Sequence, residues 1–122
     1  MNNGATPDGE LIVGFFTDKA ASRTRGYLFY GDTILPFDVP GSTFTAAWDV
    51  NASGEVVGVY RDTVRTPHGF IWSGLRFRTL DVPGAVSTWA YGINSHGAVV
   101  GAFSDAVGKI RGFVAMRSRW HR

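Results

Sequence analysis

The sequence predicts an all-β domain assembled from about 2.75 four-stranded repeats of 43 residues. Three observations carry this. The stretch "GEVVGVYRD" at 54–62 returns as "GAVVGAFSD" at 97–105, and a looser form, "GELIVGFFTD", occupies 9–18. A shift of 43 positions also lays "FDVPG" (37–41) on "LDVPG" (80–84) and "AWDVNASG" (47–54) on "AYGINSHG" (90–97). Finally, 14% aromatic residues and sixteen glycines, with only two lysines, suit strands joined by tight turns and leave little for helices. No window sustains a 3.6-residue apolar period beyond two turns.

Each repeat divides into four short strands. "AAWDVN" (46–51) is the first, closed by the turn "ASG". "EVVGVYRD" (55–62) follows, with valines on both faces, as in a strand packed on two sides. "GFIW" (69–72) is the third, and "FRTLDV" (77–82) the fourth, closed by Pro-Gly. Asn, Ser and Gly between apolar runs favour hairpins, and Pro-Gly at 40–41 and 83–84 can supply a positive-φ turn position. The chain therefore forms one domain, 1–122, with units 9–53, 54–96 and 97–122, and it begins and stops inside a repeat.

Four-stranded units of this length serve as propeller blades, but a propeller needs at least four of them. Two chains would then complete a six-bladed ring, so a homo-oligomer, with the dimer favoured, is expected. The alternative is a three-fold closed β-trefoil or β-prism monomer. A unit lacking a strand exposes unpaired backbone, which also invites association.

Composition excludes several functions. With 44% hydrophobic and 18% charged residues the chain is globular, and a net charge of +2 gives no reason to expect a nucleic-acid partner. The basic tail "KIRGFVAMRSRWHR" reads as a solvated face that keeps an edge strand soluble. The absence of cysteine removes disulfides, thiol catalysis and cysteine metal sites. No apolar run is long enough for a helical membrane span, and "MNNGATPDGE" has neither the basic start nor the apolar core of a signal peptide.

Ala90, Gly92, Ile93, Asn94, Gly97, Val99, Val100 and Gly101, with Gly69, Phe70, Leu80, Asp81, Pro83, Gly84 and Ala85, spell a pattern. It is A-x-G-I-N-x-x-G-x-V-V-G, followed by G-F and L-D-x-P-G-A. This pattern resembles the HAF repeat, an extracellular repeat family of bacteria, over nearly the whole chain. The resemblance implies a β-propeller-like array and an extracellular location. It implies no reaction.

The candidates for chemistry are few. "DVNASGE" (49–55) places oxygens on Asp49, Asn51 and Ser53 at the spacing of the front half of a calcium loop. The later ligands are absent, since Val57 and Tyr60 stand where they should be, and Asn51 and Asn94 are better read as caps of their own turns. Asp38 and Asp81 recur before Pro-Gly as expected turn acceptors, while Asp18, Asp62 and Asp105 recur at a strand end as expected capping or surface-pairing groups. His68, His96 and His121 share no metal-like spacing, and the first two precede glycines in expected turns. There is no G-x-S-x-G elbow, P-loop or dinucleotide fingerprint. No cofactor and no enzymatic activity are expected.

The aromatic residues are the remaining lead. Trp48 aligns with Tyr91, so an amphipathic aromatic stands twice at the same strand position. Such residues can stack on sugar faces, or can fill the space between neighbouring units. The expected function is a non-enzymatic binding or interaction module, carbohydrate-binding in its lectin-like form, with a glycan or a protein as ligand. The alternative is a structural fragment of a longer extracellular array with no small-molecule ligand.

Overall fold

A computed structural model describes residues 11–74 and 76–116. The protein is all-β, and among the described residues it has ten strands and no helix. They are β1 (Leu11–Asp18), β2 (Arg23–Tyr30), β3 (Thr33–Phe37), β4 (Phe44–Val50) and β5 (Val56–Arg61). Then come β6 (Pro67–Trp72), β7 (Phe77–Leu80), β8 (Ser87–Ile93), β9 (Val99–Ser104) and β10 (Ile110–Ala115). Consecutive strands pair antiparallel within three meanders: β1–β2–β3, β4–β5–β6–β7 and β8–β9–β10. A single parallel bridge, Thr24 to Phe44, joins the first two into one sheet path.

Turn chemistry separates the meanders. In Val39-Pro40-Gly41-Ser42 the Ser42 N–H donates to the Val39 carbonyl at 3.0 Å, and Gly41 takes a φ of 79° that a side chain would oppose. Val82-Pro83-Gly84-Ala85 closes the same way, with the Ala85 N–H on the Val82 carbonyl at 3.0 Å. Each turn is tied to the following strand by a buried threonine: the Val39 N–H donates to Thr45 Oγ1, and the Val82 N–H to Thr88 Oγ1.

The meanders stack face on face. Val13, Phe37 and Val39 of the first meander and its exit turn meet Ala47, Val50, Val56, Phe70 and Trp72 of the second, with Leu11, Leu28, Tyr60 and Phe77 at the margin. The opposite face of the second meander supplies Val57, Ile71 and Leu80 to another core, with Ala90, Ile93 and Val99 of the third and Phe113 and Ala115 beside them. Strand alternation explains how one strand serves both cores: Val56 points to one side of the sheet and its neighbour Val57 to the other, and both are fully buried.

The two cores use corresponding positions. Phe37, Ala47, Val50, Val56, Phe70 and Trp72 of the first recur 43 residues later as Leu80, Ala90, Ile93, Val99, Phe113 and Ala115 of the second. The first core is the heavier, because it holds a cluster of aromatic rings. Phe37 and Trp72 lie 4.2 Å apart between centroids, and Trp72 stacks on Phe77 at 5.2 Å.

Among the described residues the first and third meanders share no core, and the sheets form no closed barrel. A three-fold closed monomer would cover all three units equally. Here, among the described residues, only the middle meander is covered on both sides. Among the described residues no helix is long and apolar enough to cross a membrane.

Candidate functional site

The strand pairing of β4 with β5 shifts between Ala47 and Asp49, and that of β8 with β9 shifts between Ala90 and Gly92. Trp48 and Tyr91 are the additional residues of these two bulges. A bulge leaves one residue out of the ladder and re-aims its side chain. The glycines opposite make the bulges possible: a Cβ on Gly58 would run into the Ala46 carbonyl oxygen, and one on Gly101 into that of Trp89. The recurring glycine of "VVG" is thus a close-approach position rather than a turn.

The two re-aimed rings, with Phe15 from the regular β1–β2 ladder, form a row across all three meanders. Phe15 of β1 lies 5.3 Å from Trp48, and Trp48 lies 5.5 Å from Tyr91 in an edge-to-face arrangement at 85°. Phe15 and Trp48 are half-buried, and Tyr91 is exposed. The structure therefore brings the two aromatic candidates together and adds Phe15, which the sequence does not single out. Phe15 sits on the second strand of its repeat and the other two on the first, so no fixed offset relates them.

Asp49, Asn51 and Ser53 hold the fold together locally. Asp49 Oδ1 accepts from the Val50 N–H and Oδ2 from the Ile93 N–H, both at 2.9 Å, so this carboxylate ties β4 to the third meander. Its burial raises the Asp49 pKa above the ordinary carboxylate value, an effect the Ile93 and Val50 N–H groups partly offset. Asn51 Oδ1 accepts from the N–H groups of Ser53 and Glu55, and Nδ2 donates to Glu55 Oε1 and, across to the next meander, to the Asn94 carbonyl. Ser53 is exposed. The candidate calcium ligands Asp49 and Asn51 thus spend their oxygens on backbone donors.

A second repeated constellation is an acid–cation–acid column. Arg25 lies between Asp18 (3.5 Å) and Asp38 (3.2 Å), and Arg111 pairs with Asp105 at 3.0 Å. In the middle meander the cation position is His68, whose Nε2 meets Asp62 and whose Nδ1 meets Asp81, each at 2.9 Å. Tyr60 stacks on the imidazole at 5.1 Å. Burial pulls the His68 pKa down, but hydrogen bonds to Asp62 and Asp81 outweigh it, and the net value lies above 6.5. The His68 bond leads a set that holds the Asp62 pKa below its ordinary value, and the Lys109 N–H leads the corresponding set at Asp105.

This column corrects two sequence expectations. His68 is not in a turn: the β5–β6 ladder runs on to Arg61 opposite Pro67, which places His68 inside β6. Asp38 and Asp81 do not serve as the acceptors at the Pro-Gly turns: the turns close on backbone bonds, Thr45 and Thr88 accept from the Val39 and Val82 N–H groups, and the carboxylates face the cation beside them. The equal spacing of Arg25, His68 and Arg111 could have revealed the column, but His and Arg do not align by identity. Asp62 Oδ1 caps its loop by accepting from the Val64 and Thr66 N–H groups, as Asp105 Oδ1 does from Val107 and Lys109. His96 is exposed in its turn, while His121 and the tail arginines 117, 119 and 122 lie outside the described residues.

No family model, curated protein or solved structure matches this chain.

Proposed function

We propose that this chain is a non-enzymatic binding module whose three meanders act as successive blades of a β-propeller-like array. Its ligand surface is the aromatic row of Phe15, Trp48 and Tyr91, and its ligand class is carbohydrate. The observation that carries this reading is the pair of bulges. A bulge interrupts ladder hydrogen bonding, yet both occurrences put a large amphipathic ring at the position it re-aims. A row of half-exposed rings offers flat apolar faces to the C–H side of a sugar, and several weak contacts in a row gain by avidity.

The non-enzymatic part rests on how the titratable side chains are spent. Asp49, Asp62 and Asp105 are each engaged by backbone N–H groups, and Asp62 and Asp81 both face His68. No nucleophile–base–orienter set is built from them. The resemblance to the HAF repeat supports a propeller-like array and an extracellular setting. Homo-oligomerisation would complete the ring, with six blades from two chains.

Glycan-array binding tests the proposal. The wild type binds one sugar class, and Tyr91→Ala and Trp48→Ala lose that binding while keeping the wild-type circular dichroism. Tyr91→Ala is the cleaner variant because Tyr91 is 43% exposed. Absence of binding across the array, or binding unchanged in both variants, refutes it. The second reading, a structural array without a small-molecule ligand, draws support from the apolar faces that the described residues leave open at both ends of the stack.

A further inference from the structure

Among the described residues, the stack ends in two faces that no other strand covers. On the outward side of the first meander, Ile12, Phe16, Tyr27, Phe29 and Ile34 line an apolar groove of about 550 Å³. Ile34 is 60% exposed and Phe16 37%. On the outward side of the third meander Val100 and Val114 are 48% and 65% exposed. Contiguous apolar surface of this kind on a folded chain marks a place of contact.

What covers each face is written inside the molecule. The groove residues correspond, 43 or 44 positions on, to Val56, Tyr60, Phe70, Trp72 and Phe77. Those residues belong to the second meander's side of the first core or its margin, where they pack against Val13, Leu28 and Phe37 of the first meander. Val100 and Val114 correspond to Val57 and Ile71, which are buried in the second core beneath the following sheet. One kind of sheet-on-sheet interface is thus made twice within the chain. One unused half of it remains at each end.

We infer that the two halves meet between copies: the outward face of β8–β10 of one chain docks into the β1–β3 groove of a second. The contact is head-to-tail, with different patches on the two partners, and it either closes into a ring or continues as a filament. It repeats the packing already made at the two internal cores. The inference rests on reading the meanders as equivalent units of one array. It does not depend on a sugar ligand, and a negative glycan array leaves it untouched.

The test is light scattering on the 122-residue chain and on Ile34→Asp and Val114→Asp, alone and mixed. Both substitutions fall on exposed side chains, and near-ultraviolet circular dichroism checks that each variant keeps its tertiary packing. The wild type is expected as a dimer or larger assembly, and each variant as a monomer. An equimolar mixture regains mass as a 1:1 complex, because the Ile34→Asp chain still offers its β8–β10 face and the Val114→Asp chain its groove. A wild type that stays monomeric at all concentrations overturns the inference. So does a folded variant that keeps the wild-type mass, or a mixture no heavier than its components.

Discussion

Asn51 and Asn94 stand at the same position of successive repeats, and the structure predicts unequal costs for removing them. Both side-chain oxygens cap their own turn: Asn51 Oδ1 accepts from Ser53 and Glu55, and Asn94 Oδ1 from His96 and Ala98. Only Asn51 also reaches the next sheet, with Nδ2 on the Asn94 carbonyl at 3.0 Å and on Glu55 Oε1 at 2.8 Å. Among the described residues the Asn94 side chain makes no cross-sheet bond. Asn51 is 5% exposed, whereas Asn94 is open to water.

A hydrogen bond contributes about 1 kcal/mol net, and a buried partner left unpaired costs more. Asn94→Ala frees two N–H groups that water can reach, which is worth about 1 kcal/mol. Asn51→Ala removes two further bonds, one of them to the Asn94 carbonyl, for a total of about 3 kcal/mol. Asn51→Asp keeps the turn acceptor but turns a carboxylate toward the Asn94 carbonyl and Glu55, so it should fall near the alanine variant. Urea unfolding followed by tryptophan fluorescence, at one fixed protein concentration, measures all three. Equal losses for Asn51→Ala and Asn94→Ala, within about 0.5 kcal/mol, would mean that the cross-sheet bond contributes nothing.

Three further outcomes follow from the same geometry. Gly58→Ala forces a Cβ against the Ala46 carbonyl and within 2.9 Å of both Ala47 Cα and the Phe70 ring, whereas at Gly112 the nearest atom is 3.7 Å away. The first should cost about 1–3 kcal/mol or more and the second about 0.5 or less, and matching urea midpoints would refute the bulge argument. Phe70→Ala, at a fully buried ring in the first core, should lose about 3–5 kcal/mol of unfolding free energy, and a loss under 1 would show that the core is loose. His68 has a folded pKa above its unfolded one, so its contribution is complete below the unfolded pKa and fades as pH rises through the folded value. His68→Arg puts the fixed cation of Arg25 and Arg111 at this position, and melting curves from mildly acidic to mildly alkaline pH should lose that fading; an unchanged pH slope would assign it elsewhere.

The stretches written three times fold as strands because their information is short-range. Alternating valines, Pro-Gly and Asn-x-x-Gly turns act within a few residues of themselves, so β5 and β9 appear where "VVGVYR" and "VVGAFS" stand. The pairing of Trp48 with Tyr91 as equivalent positions was likewise legible. The sequence could not show that both are bulge residues, because a bulge depends on the register between two strands.

What the sequence by itself determined was an all-β chain, the order of its strands, and the positions at which units correspond. Tertiary structure decided which of those positions still differ. Val57 is buried and Val100 exposed, though they are the same residue at the same place in the repeat, because a sheet follows the first and, among the described residues, none follows the second. Asn51 bridges two meanders where Asn94 does not, for the same reason. Local pattern fixes what a strand can bury, and only the stacking of its neighbours decides whether it does.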